Sequence, residues 1–319
     1  MGDPIQLEAL AKALSGIGVD ERSLISILGR SPPEHRKSFR KGVPQLFQED
    51  ERSFERWIDS RIPLLKAEFL RFNEAIVLWA MHPWERDARL MKESLIEGPK
   101  SYAVIVEIAC TRSSEDLLGA RTAYHSLYDR SIEEDVVTRF HGRPERKLLV
   151  GLVSAYRYEG PKVNTETVKS EAKLLCHALR NEGNDKNPVE DEDVIRILST
   201  RSKPHIHAIY EHYKEVAAKS IRDDLQAAEL ILKETVECLC TPHVYFSKVV
   251  DEALKNGAEE NAKKGLTRVI VTRADLDMKE TETTFNNLYG ATLAHRVEEA
   301  TNGNYKDLLL TLITRDQTS

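Results

Sequence analysis

The chain repeats itself, and this constrains its fold more than any other feature. Four segments run apolar residues into an arginine: "ISILGRS" (25–31), "VEIACTRS" (106–113), "IRILSTRS" (195–202) and "TRVIVTRA" (267–274). The arginines are Arg30, Arg112, Arg201 and Arg273, spaced 82, 89 and 72 residues apart. A second motif closes each unit: "AIVLWAMHP", "KLLVGLVSAYR", "LILKETVECLCTP" and "DLLLTLITRD". Between the two lie stretches with apolar residues at i, i+3, i+4, as in "ARTAYHSLYDRSIEEDVV" (120–137), and strand-like alternation is almost absent. The pattern predicts an all-α chain of four units with about five helices each. Two-helix solenoid repeats are shorter, at roughly 34–47 residues.

The expected bounds are 1–80, 81–156, 169–240 and 241–319, with a linker at 157–168. That linker, "RYEGPKVNTET" (157–167), is the longest, and it is expected to separate the chain into halves of two units each. The most polar loop is "NEGNDKNPVEDED" (181–193).

Composition narrows the function. With 46 basic against 52 acidic residues the net charge is −6, and no Lys/Arg block stands out, which argues against nucleic acid as a partner. An anionic membrane could then be met only through a bridging cation. The apolar runs "AIVLWAM" and "LLVGLV" are too short to span a bilayer, and "MGDPIQLEAL" lacks the features of a secretory signal or a myristoylation site, so a cytoplasmic chain is expected. Cys110, Cys176, Cys238 and Cys240 lack zinc-ligand spacing and are expected to be buried free thiols. His205, His207 and His212 do not have the i, i+4 spacing of a zinc helix. Asp116–Gly119 has the D-x-x-G pattern, but no G-x-x-x-x-G-K-[ST] loop accompanies it. With no nucleophile–base set either, no enzyme is expected.

In the first unit, "LSGIGVDERSL" (14–24) places Gly16 and Gly18 just before a helix start at Asp20-Glu21. Gly-x-Gly on its own reads as a tight loop.

A five-helix unit of this length resembles the annexin repeat. "HPWERDA", "CTRSSEDLLGAR", "KLLVGLVSAYRYEG" and "VIRILSTRS" are similar to plant annexins, and the resemblance covers essentially the whole chain. It implies four repeats set two-by-two in a curved disc. It also implies a monomer in solution that binds anionic phospholipid membranes peripherally and reversibly when Ca2+ is present. The resemblance further implies that the segment-ending arginines form salt bridges within their repeats.

The family's calcium loop, apolar-x-Gly-x-Gly-Thr, matches Leu14-Ser15-Gly16-Ile17-Gly18-Val19 with Val for Thr. The next helix, "LLKAEFLRF" (64–72), supplies Glu68 as the distant acid, with the charged stretch "FQEDERSFERW" (47–57) as an inserted loop. Calcium takes 6–8 oxygens in flexible geometry, which suits the carbonyls of Leu14, Gly16 and Gly18 with a bidentate Glu68. Ile17 at the loop tip is then expected to touch the membrane. Val19 and Glu21 are candidates for a second, weaker site.

The other loops depart from the pattern. The second has Pro99 and Lys100 in "LIEGPKSY", with Arg139 at the acid position. The third lacks Gly-x-Gly, with Asp223 or Asp224 as its only candidates. The fourth keeps only Gly257, and Ala300 takes the acid position. The alternative is a calcium-weak scaffold for F-actin or another annexin, with channel-like membrane activity. Its actin contact is Ile195-Arg196-Ile197, a tripeptide associated with actin in plant relatives. A peroxidase reading rests on a position that is Arg30 here, with His35 nearby.

Overall fold

The computed structural model describes the backbone of residues 4–28, 33–50, 54–180, 187–225 and 230–315. The first repeat comprises α1 (Pro4–Ala13), α2 (Glu21–Leu28), α3 (Pro33–Gly42), the strands β1 (Phe47–Glu49) and β2 (Glu55–Trp57), and α4 (Arg61–Ala80). The second holds α5 (Pro83–Glu97), α6 (Ala103–Thr111), α7 (Ser114–Tyr128), α8 (Ile132–Arg139) and α9 (Arg146–Val153). The third holds α10 (Thr165–Leu179), α11 (Glu192–Thr200), α12 (Lys203–Ala217), α13 (Ile221–Asp224) and α14 (Leu230–Cys240). The fourth holds α15 (Pro242–Leu254), α16 (Glu260–Arg273), α17 (Met278–Tyr289), α18 (Leu293–Ala300) and α19 (Gly303–Thr314). The five-helix unit thus appears in the last three repeats.

The repeated Thr-Arg-Ser is a helix-to-helix corner. Arg112 and Arg201 leave helical geometry at the ends of α6 and α11, and the next serine caps the following helix. Ser113 Oγ accepts the Asp116 N–H at 3.0 Å, and Ser202 Oγ accepts the His205 N–H at 3.3 Å. In the fourth repeat the serine is Ala274, which has no side-chain acceptor, and the next helix starts only at Met278. The arginines anchor these corners: Arg112 to Asp87 at 2.6 and 3.0 Å, Arg201 to Glu171 at 2.6 Å, and Arg273 to Asp277 at 2.6 Å. Arg30 lies outside the described residues.

The first repeat departs from the expected pattern in two ways. Its charged stretch 47–57, expected as a loop, has its described ends paired as antiparallel strands, 47–49 with 55–57 and Phe47 opposite Trp57. The rings of Phe47 and Trp57 lie 4.2 Å apart, and Phe47 packs on Phe39 in a core with Leu10 and Val43. Burial of these flanking aromatics outweighs the charge between them. The second departure is that α4 runs unbroken for 20 residues. In the second repeat Gly142 and Pro144 separate α8 from α9, and in the fourth Gly303 begins α19 at positive φ. After Pro63, α4 contains no such breaker.

The described residues of 1–80 and 246–319 form one compact unit, and those of 81–245 form another. Residues 157–167 therefore lie inside the second unit instead of dividing two halves. The segment is stitched to its neighbours: Arg157 Nη1 donates to the Arg201 carbonyl at 2.6 Å, Tyr158 N to the Thr200 carbonyl at 3.1 Å, and Glu159 accepts the Ser114 N–H at 2.7 Å. All four cysteines are free and buried, and burial raises the pKa of Cys110 to about 11 and of Cys240 to about 12. Among the described residues no helix is long and apolar enough to cross a membrane.

Candidate functional site

The site begins with the loop between α1 and α2. Gly16 and Gly18 both take positive φ, +84° and +80°, which an L side chain adopts only under strain. Space also demands glycine. A Cβ on Gly16 would lie 2.9 Å from the Ala300 carbonyl oxygen, and one on Gly18 would lie 3.0 Å from that of Asn302 and 3.2 Å from Tyr305 Cβ. The loop is therefore seated on the turn between α18 and α19. Ile17 N donates to the Ala300 carbonyl at 3.0 Å, Asn302 N donates to the Ile17 carbonyl at 2.9 Å, and the Asn302 side chain donates to the Ser15 carbonyl.

This seating leaves an alternation along the loop. The Ser15 and Ile17 carbonyls are engaged, whereas no described residue donates a hydrogen bond to the carbonyls of Leu14, Gly16 or Gly18. Those three are the carbonyls expected from the sequence as cation ligands. Ile17 is a different matter. Its side chain is 5% exposed, so the expected membrane contact is packed away, with its backbone bridged to Thr301.

Glu68 reaches the loop from the middle of α4. Its Oε2 accepts the Gly18 N–H at 2.8 Å across fifty residues of sequence. Residues 68, 71 and 75 share one helix face, on which Arg71 and Ala75 are buried. Arg71 is 1% exposed; it donates from Nε to Glu68 Oε2 and from Nη2 to Oε1 at 3.1 Å. The same Nη2 lies 2.7 Å from both carboxylate oxygens of Glu260. Lys263 Nζ completes the set at 2.6 Å from Glu68 Oε1. Burial alone would raise the Glu68 pKa, but the hydrogen bonds from Arg71, Lys263 and Gly18 outweigh it and hold the carboxyl below its usual range.

Sequence reasoning missed Arg71, Glu260 and Lys263. Arg71, three residues after Glu68 on the same helix, could have been found from spacing. Glu260 and Lys263, from the fourth repeat, leave no local signal.

The second, weaker site is covered. A Cβ on Gly303 would lie 2.1 Å from the Val19 carbonyl oxygen, and Glu21 Oε2 lies 3.4 Å from Asn304 Nδ2, so an ion at Val19 and Glu21 would have to displace the α18–α19 turn. Asp20 caps α2 through Ser23 and has a lowered pKa, chiefly from the Ser23 hydroxyl hydrogen bond.

The other three loops are turned to structural use. In the second repeat Arg139 Nη2 lies 3.4 Å from a Cβ built on Gly98, so a guanidinium sits beside this loop, and Pro99–Ser101 forms a short 3-10 turn. In the third, Asp224 accepts from Arg180 Nε at 2.9 Å and from the Tyr213 hydroxyl at 2.7 Å, while Asp223 closes a capping box with Ser220. Residues 181–186 of its polar loop lie outside the described residues. In the fourth, the Ala300 carbonyl is taken by Ile17.

In the Ile195-Arg196-Ile197 tripeptide, Ile197 is fully buried and Arg196 is bound to Asp193 and Glu171, both at 2.9 Å, so Ile197 is not presented to a partner. The three histidines separate: His205 pairs with Glu171 at 2.9 Å, His212 with Glu215 at 2.7 Å, and His207 stacks on Tyr210. Asp116 accepts from the capping Ser113, and Gly119 lies under the Trp84 ring. Among the described residues no group of three or more His, Cys, Asp or Glu side chains is placed to hold a metal, so a cation at the first loop would depend on backbone oxygens.

Helical units of this kind, with arginine corners and one glycine loop facing a carboxylate, define a helical-repeat protein whose repeat has five helices. The annexin family model matches residues 86–151, 170–230 and 246–312. Annexin D4 of Arabidopsis thaliana is 52% identical over 99% of both chains. Annexin Gh1 of Gossypium hirsutum is 40% identical over 96% of this chain and 93% of its own. The solved structure of annexin III shares the fold with a TM-score of 0.70 at 24% identity, covering 99% of this chain and 96% of that one. The chain belongs to the annexin family. Annexins generally bind phospholipid membranes in a calcium-dependent way and are generally not enzymes.

Proposed function

We propose that this chain binds anionic phospholipid membranes in a calcium-dependent way, mainly through one calcium site in its first repeat. The carrying observation is the alternation in the loop: the Leu14, Gly16 and Gly18 carbonyls have no donor among the described residues, and the Glu68 carboxylate lies against the same loop. These residues fit a hard cation that takes oxygen ligands. Leu14, Gly16, Gly18 and Glu68 would hold it. Bound calcium would supply positive charge that a lipid phosphate oxygen could share.

The chain's own residues set the strength of this site. One carboxylate with three carbonyls leaves the shell incomplete, which places the affinity for calcium alone near ~10⁻⁴–10⁻³ M. Arg71 and Lys263 weaken it further, because they neutralise the carboxylate in advance. A single site lacks the avidity of several on one face.

The calcium-weak scaffold is the second reading, favoured by the fates of the other loops: Arg139 beside the second, paired Asp224 in the third, Ala300 in the fourth. Sedimentation with phosphatidylserine vesicles over a calcium titration separates the two, with wild type beside Glu68→Gln. Wild type pelleting while Glu68→Gln stays in solution supports the calcium site. Equal pelleting of both removes Glu68 from it, and failure of both to pellet favours the scaffold.

A further inference from the structure

A cavity of about 220 Å³ opens where the segment 157–167 meets the starts of two helices of the third repeat. Its lining includes Tyr158, Lys162, Thr167, Arg201, Ser202 and His205, and among the described residues no aspartate or glutamate lines it. It is remote in sequence from the loop of the first repeat, and nothing in the membrane reading uses it.

We infer that this cavity binds a small phosphate-bearing anion. The first support is charge. Arg201, Arg196 and His205 all converge on one carboxylate, that of Glu171, behind the cavity wall. Arg201 spends Nε and Nη2 on Glu171 at 3.0 and 2.6 Å, leaving Nη1 without a partner among the described residues. Lys162 has no ion pair or hydrogen bond with any described residue. The lining is therefore richer in cations than Glu171 can balance.

The second support is a buried polar group. His205 is 5% exposed; its Nε2 is committed to Glu171, and Nδ1 has no partner among the described residues. Nδ1 is not enclosed by protein, so it stays open to a ligand oxygen in the cavity that His205 lines.

The third support is the backbone. α10 begins at Asn164 and α12 at Ser202, each 15 residues long, and both capping residues line the cavity. Asn164 and Ser202 already cap the Thr167 and His205 N–H groups, so the two helix starts add chiefly partial positive charge at its edge. Hydroxyls from Thr167 and Tyr158 add further donors. Cations and hydroxyls around an acid-free space at two helix starts are a donor set that suits a phosphate.

The test is calorimetric titration of the full chain, in calcium-free buffer at constant ionic strength, with inorganic phosphate. A parallel arm uses sedimentation with vesicles containing phosphatidic acid. Lys162→Glu is the variant, because Lys162 has no partner to lose; a matching thermal unfolding midpoint confirms that it folds. Saturable phosphate binding that Lys162→Glu weakens about tenfold or more supports a soluble ligand, tenfold being the loss of one charge-assisted hydrogen bond. Lys162-dependent pelleting without a response to free phosphate assigns the cavity to a lipid headgroup. No response in either arm, or an equal response from Lys162→Glu, overturns the site.

Discussion

Lys263 Nζ lies 2.6 Å from Glu68 Oε1. The carboxylate that the first repeat turns toward its glycine loop is thus already held by a cation from the fourth repeat. Arg71 binds the same carboxylate and is buried between Glu68 and Glu260, with two carboxylates to its one charge. Lys263 restores neutrality, since two cations then face two anions. A calcium ion adding two charges would have to share Glu68 with both or displace the more exposed one, which is Lys263.

Lys263→Met is expected to sharpen the calcium response. It removes one cation from the proposed ligand oxygen and leaves Arg71 to satisfy Glu68. The calcium needed for half-maximal pelleting of phosphatidylserine vesicles should fall about tenfold, the equivalent of roughly 1.4 kcal/mol. Folding stability should drop by no more than about 1 kcal/mol, since the pair is only partly shielded from water. An unchanged or raised calcium requirement would show that Lys263 does not compete at this site.

Acid should undo the protein's paired carboxylates in a defined window. Glu68, Asp135 and Glu171 are each pushed upward by burial and pulled further downward by their donors: Arg71, Lys263 and Gly18 for Glu68; Lys92 and Tyr124 for Asp135; Arg201, Arg196 and His205 for Glu171. All three therefore sit below the ordinary values of 4.5 for glutamate and 3.8 for aspartate. A folded-state pKa below the unfolded one means the unfolded chain binds more protons across the gap. Their stabilisation is complete above the unfolded values and is lost as pH falls through the folded ones. The thermal midpoint should hold steady from pH 7 to about 5.5 and then fall steeply toward pH 3.5. A midpoint that stays flat down to pH 3.5 would show that these pairs contribute nothing.

Much of this architecture was legible in the chain. Arg112-Ser113 and Arg201-Ser202 announce a helix end and a helix start side by side, and the corner follows from capping chemistry alone. Glu68 was reachable because the helix carrying it could be aligned despite the insertion before it. The strand pairing was missed because the charged residues between hide the two that decide it, Phe47 and Trp57. Ile17 was misplaced for a different reason. An isoleucine between two glycines reads as a loop tip, and only the turn at Ala300 and Asn302, nearly three hundred residues later, buries it. Glu260 and Lys263 belong to the same class: local periodicity carries no information about which distant repeat will supply the counter-charges.

The glycines of the loop allow this long-range seating to be measured. Gly18 and Gly257 have nearly equal backbone angles, φ +80° and +78°. A Cβ on Gly257 would meet nothing within 4 Å, whereas one on Gly18 would press on the Asn302 carbonyl at 3.0 Å and on Tyr305. Gly257→Ala should therefore cost only the left-handed backbone penalty of about 1–2 kcal/mol. Gly18→Ala should cost that and about 1–3 kcal/mol more, from overpacking against the α18–α19 turn. Denaturant unfolding of the two variants reads the difference directly. Equal losses would mean that the loop yields without strain and that Gly18 serves the backbone angle alone. A larger loss at Gly18 would mean that the loop proposed to offer its carbonyls to a cation is held in place by the fourth repeat.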